Sequence, residues 1–119
     1  MKIFLIGPMG SGKSKIGRIL SEKLSISLFD IDKEIEKDLN MSITEIFASK
    51  GEIFFRNTET DYLIKTKGLR DCIVSTGGGV VEEIKNLEFL RKEANVVFLN
   101  CSVESQYENT KNSAKRPLL

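Results

Sequence analysis

Apolar positions along the chain follow two rhythms, and the places where one gives way to the other divide it into elements. Residues 3–6 are an unbroken apolar run, the pattern of a parallel strand buried on both faces. Ile16, Ile19, Leu20 and Leu24 then recur at helical spacing among Lys15, Arg18, Glu22 and Lys23, which predicts a first helix. Residues 26–31 read as a second strand ending in FDID, so that Asp30 and Asp32 sit at its carboxyl end, and a helix through Ile35 and Leu39 follows. Ser42 with Glu45 three residues later has the form of a capping box, opening a short helix through Ile46 and Phe47 that Gly51 closes. A longer helical pattern runs over residues 52–67, a third strand over 72–75, and a helix over 82–92 through Ile84, Leu87 and Leu90. Residues 95–99 form a fourth apolar strand, and 103–112 a weakly amphipathic polar helix.

Strands alternating with helices call for right-handed crossovers, a parallel sheet and helices on both faces. Ligands of such sheets bind at the carboxyl ends of the strands. With 119 residues and 40% apolar composition, the chain is expected to be one domain with one core. No repeat, linker or low-complexity tract divides it. The net charge of +1 comes from interspersed acids and bases, so charge alone implies neither a nucleic-acid face nor a membrane-surface helix, and no nucleic-acid partner is expected. No apolar run reaches the roughly 20 residues of a membrane span, and Met1 opens no leader pattern, so a cytoplasmic protein with no membrane partner is expected. Cys72 and Cys101 lie in apolar, strand-like surroundings and read as buried free thiols. There is no histidine, which removes Ser-His, Cys-His and His-metal chemistry and leaves acid–base work to carboxylates.

The break after the first strand carries the clearest chemistry. Residues 7–14 read GPMGSGKS, a complete G-x-x-x-x-G-K-S phosphate loop between a strand and a helix. Gly10 and Gly12 permit a tight path whose N–H groups converge on one anion at the positive end of the helix. Lys13 is placed to reach β- and γ-phosphates, and the Ser14 hydroxyl to ligate Mg²⁺. Asp30 and Asp32, at i and i+2 of a strand, would face the same way and share one site. One would hold hydrated Mg²⁺ and the other accept a hydrogen bond from an acceptor hydroxyl; the alternative is a polar strand end with Asp32 as N-cap of the next helix. Gly77, Gly78 and Gly79 follow a buried strand, where three flexible residues suggest close approach of backbone to a ligand. Arg56, in FFRNTE, either turns inward to an anionic substrate or remains solvated or paired with Glu59, and spacing favours the latter pair.

Together, GPMGSGKS, FDID, SITEIF followed by GEIFFRNTE, STGGGVV and RPLL resemble, in order and spacing, the shikimate kinases, over essentially the whole chain. The resemblance implies a P-loop NTPase fold of the nucleoside-monophosphate-kinase type, with strand order 2-3-1-4-5. It implies transfer of the ATP γ-phosphoryl group to the 3-hydroxyl of shikimate. Gly10, Ser11, Gly12, Lys13, Ser14 and Lys15 would wrap the ATP phosphates, with Ser14 and Asp30 on Mg²⁺. Asp32 would bind shikimate hydroxyls and orient or deprotonate the attacking oxygen, Arg56 would pair with the carboxylate, and Gly78 and Gly79 would offer N–H groups. Arg116 would be the lid arginine that closes over the phosphates. Lys15 stands where the family usually has threonine. The family's usual length also exceeds this chain, so the expected sheet is 2-3-1-4 without its fifth edge strand, in a monomer whose bared fourth strand invites edge association. Two further readings are a nucleotide- and shikimate-binding module with little turnover, and a P-loop kinase of another small polyol or nucleotide.

Overall fold

The computed structural model describes residues 1–93 and 95–100. Four parallel strands, β1 (Lys2–Ile6), β2 (Ser27–Asp30), β3 (Cys72–Ser75) and β4 (Val96–Phe98), form one sheet in the order β2-β3-β1-β4. This is the expected order, and its crossovers are α1 (Lys13–Leu24), α2 (Ile31–Leu39), α3 (Ile43–Lys65) and α4 (Ile84–Arg91). Strand alternation divides the apolar residues between two faces. Phe4, Cys72 and Val74 join the main core beneath α2, α3 and α4, where the rings of Phe4 and Phe89 meet edge to face at 6.0 Å. Leu5, Ile73 and Leu28 face α1 instead, which seats Gly17 against them.

Three local readings are corrected. The second strand stops at Asp30, not beyond Asp32: Ile31 and Asp32 already lie in the first turn of α2, and Asp30 is its N-cap, accepting from the Lys33 N–H at 3.3 Å. The side chain of Asp30 satisfies a helix-end donor that a longer strand would leave without a partner, so the helix wins. In α4 the buried stripe is Asn86, Phe89 and Leu90, whereas Ile84 is 72% exposed. A 3-10 turn, Val80–Glu82, precedes α4. In α1, Ile19 and Leu24 are exposed and the buried face is centred on Gly17, because a helix lying this close to Leu28 and Leu5 has no room for a side chain there.

Other expectations hold. Ser42 and Glu45 exchange both capping-box hydrogen bonds at 3.1 Å. Gly51 interrupts α3 with φ 87° and ψ 168°, and the kink folds the Phe47 ring onto Phe55 at 5.0 Å. Cys72 is a buried free thiol, its pKa raised by burial. Cys101, the expected helix over 103–112 and Arg116 lie outside the described residues. Among the described residues no helix is long and apolar enough to cross a membrane.

Candidate active site

Strand register brings the three chemistry-bearing segments together. Leu5 and Asp30 both pair with Ser75, so β1, β2 and β3 end at one level. The phosphate loop, Asp30 with Asp32, and the glycine run therefore issue side by side at the carboxyl edge. Thr76 fixes this edge: its Oγ1 and N–H donate to the Leu5 carbonyl at 2.8 and 3.2 Å. An open cleft of about 570 Å³ results, lined by residues 9–16, Arg18, Ile19, Asp30, Asp32, Thr76, Gly77 and Gly78.

One wall is the phosphate loop. Gly10 and Gly12 take positive φ of 84° and 88°, and Gly12 is the N-cap of α1, whose positive end points into the cleft. Lys13 is buried and folds over the loop, its Nζ donating to the Gly7 and Pro8 carbonyls at 2.6 and 3.0 Å. Ser11 is also buried, its Oγ without a hydrogen-bond partner among the described residues. Lys15 and Arg18 are exposed and add positive charge to the rim.

Ser14 and Asp30 meet, the Ser14 hydroxyl donating to Asp30 Oδ2 at 2.9 Å. A hydroxyl and a carboxylate side by side are hard oxygen donors suited to Mg²⁺, an ion that completes its shell with water and phosphate oxygens. Among the described residues no group of three or more His, Cys, Asp or Glu could hold a metal ion. Asp32 lines the same cleft, so the two carboxylates do share a site. They do so across a strand–helix junction rather than as neighbours on a strand.

The opposite wall is built on the glycine run. A Cβ at Gly77 would stand 2.4 Å from Glu59 Oε2 and 3.0 Å from Asp32 Oδ1; one at Gly78 would stand 2.9 Å from the Met9 nitrogen; one at Gly79 would stand 2.5 Å from the Arg56 guanidinium. These close approaches are what residues without side chains allow. They place the phosphate loop against Gly78 and the arginine against Gly79. Arg56 is largely buried, its side chain 13% exposed, over the Phe55 ring and paired with Glu59 Oε1 at 3.1 Å. The Glu59 pair expected from spacing is therefore present, turned inward rather than solvated.

Glu59 itself is the residue that sequence reasoning underrated. It is fully buried, with Oε2 lacking a hydrogen-bond partner among the described residues. Burial and the neighbouring Asp32 push its pKa from 4.5 up to about 7, against the opposing pull of Arg56. The only signal in the sequence was a glutamate three residues after an arginine, which surface helices also display.

Comparison with known proteins agrees with this geometry. The family model for shikimate kinase matches residues 9–119. The shikimate kinase of Persephonella marina is 40% identical over 98% of this chain and 71% of its own length. A solved shikimate kinase from Acinetobacter baumannii in complex with shikimate superposes with a TM-score of 0.93 at 40% identity, covering 99% of this chain and 66% of its own. That from Aquifex aeolicus gives 0.86 at 39% identity, over 100% and 71%. A deoxyadenosine kinase from M. mycoides, at 18% identity and a TM-score of 0.60, shares the fold alone. The chain thus spans 66–71% of the length of these shikimate kinases. The strand order, the cleft at the strand ends and the matched residues lead to one conclusion: this chain belongs to the shikimate kinase family.

Proposed function

We propose that this chain binds ATP and shikimate in the cleft and transfers the γ-phosphoryl group of ATP to the shikimate 3-hydroxyl. The observation that carries this reading is the glycine run, which has the phosphate loop packed on Gly78 and the Arg56 guanidinium on Gly79. Donor and acceptor sites are held to each other by one short backbone segment, as a reaction governed by positioning requires. The Acinetobacter baumannii relative, solved with shikimate, supports the choice of acceptor.

In this reading Gly10, Ser11, Gly12, Lys13, Ser14 and Lys15 surround the ATP phosphates, and the Lys13 ammonium stabilises charge on the group in transit. Ser14 and Asp30 hold Mg²⁺, which neutralises phosphate charge when bound. Asp32 accepts a hydrogen bond from the attacking hydroxyl and orients it. Arg56 pairs with the shikimate carboxylate in two parallel hydrogen bonds, while Gly78 and Gly79 offer backbone N–H groups. Arg116 closes over the phosphates. The protein works in the cytoplasm, as a monomer when dilute and with pairing along the exposed β4 edge as its concentration rises.

The test measures binding and turnover separately, since the chain covers only part of its relatives' length. ATP consumption is followed with shikimate, gluconate and a nucleoside monophosphate in parallel, beside calorimetric binding of each. Selective stimulation by shikimate is expected; equal stimulation by all three, or absent shikimate binding, overturns the assignment. Lys13→Ala should abolish turnover with the fold intact. Arg56→Ala should weaken shikimate binding roughly 10- to 100-fold, the worth of a charged hydrogen-bonded pair, with ATP binding little changed.

A further inference from the structure

We propose that Asn86 is a positioning residue for the acceptor side of the cleft, acting from α4 by holding the Val80 carbonyl and, through it, the backbone of the glycine run. The acceptor assignment rests on the reading above; the hold on the loop does not.

Asn86 lies far along the chain from the phosphate loop and outside the cleft lining, yet it is fully buried. A buried amide is costly unless its polar atoms are bonded. Its Nδ2 donates to the Val80 carbonyl at 2.8 Å, whereas Oδ1 has no hydrogen-bond partner among the described residues. The side chain is thus held for its donor. Val80, itself fully buried, donates its N–H to the Gly77 carbonyl at 3.2 Å, and the Glu82 N–H donates to Gly79 at 3.1 Å. Upstream, Thr76 is tied to Leu5 of β1. Between these two anchors lie only Gly77, Gly78 and Gly79, the residues with the greatest backbone freedom. Without the Asn86 hydrogen bond they retain a fixed start, while their downstream end is held only by burial of Val80 and by the turn's own hydrogen bonds. Gly79 would then drift from the Arg56 guanidinium it packs against, while β1 and the strand-anchored phosphate loop keep their own hydrogen bonds.

The experiment uses Asn86→Leu, of the same branched shape though larger and without the donor, and Asn86→Ala, which removes the donor without adding volume. If the leucine variant does not fold, the alanine variant carries the test. Amide hydrogen exchange should quicken about tenfold or more at residues 77–80, with Cys72–Ser75 unchanged. The shikimate dissociation constant should rise about 5- to 10-fold, the worth of one hydrogen bond, and that of ATP·Mg²⁺ stay within about twofold. Unchanged loop exchange in both variants overturns the proposal. So does exchange quickened equally through β3 and α4, or equal weakening of both ligands, since either marks a purely structural residue. Absence of shikimate binding by the unmodified chain would instead refute the acceptor assignment, and the exchange data would still decide whether Asn86 holds the loop.

Discussion

Glu59 shows how a single carboxylate is set by what folds over it. In the sequence it is the i+3 neighbour of Arg56, and that much was legible: the pair forms, at 3.1 Å. Its burial was not legible, because Gly77, which approaches Oε2, and Asp32, whose charge acts on it, belong to segments far along the chain. With a folded pKa of about 7 against an ordinary 4.5, the native state holds a proton that the unfolded chain releases at lower pH. The Glu59 contribution is therefore full below about pH 4.5, declines as pH rises, and levels off above about 7, a loss on the order of 3 kcal/mol at most. Glu59→Gln keeps an acceptor for Arg56 and removes the titration. Urea unfolding of both proteins from pH 5 to 8 should show the variant gaining on the parent as pH rises; parallel profiles would contradict the burial argument.

At the level of elements, the boundaries written in side-chain chemistry were the readable ones. The Ser42–Glu45 box and the break at Gly51 appear where the residues indicate, because each rests on interactions a few positions apart. The end of β2 is not readable from period, because apolar residues continue through Ile31 and period alone does not separate the last strand residue from the first turn of a buried helix. In α4 the sequence spacing picks out Ile84, Leu87 and Leu90, whereas Asn86, Phe89 and Leu90 are the buried residues, and period alone does not choose between two such overlapping stripes. Gly51, at φ 87° and ψ 168°, occupies a region essentially closed to other residues. Gly51→Ala has open space for its methyl, so any cost is conformational: about 1–3 kcal/mol lost in denaturant melts. A stability equal to the parent would mean that the kink is not fixed by this residue.

Across the whole molecule, the sheet leaves β4 at one edge. β4 pairs with β1, and among the described residues no strand lies on its other side; Val97 is 42% and Phe98 57% exposed. An apolar edge of this kind favours strand pairing with another copy, and lysine there opposes it. Apparent mass in size-exclusion chromatography should rise with protein concentration, and Val97→Lys with Phe98→Lys should abolish the rise. A double variant that associates as strongly as the parent would exclude this edge. The strand–helix alternation, the phosphate loop and the capping box are all written locally, since each depends on residues near one another in the chain. The sequence also carried the family resemblance. Folding in three dimensions sets the rest: Asp32 approaches the glycine run from a helix turn, Glu59 packs against Gly77, and Asn86 reaches Val80 from α4. Burial and pairing of polar groups arise where separate elements converge, and no local pattern of hydrophobic and polar positions encodes which partners will meet.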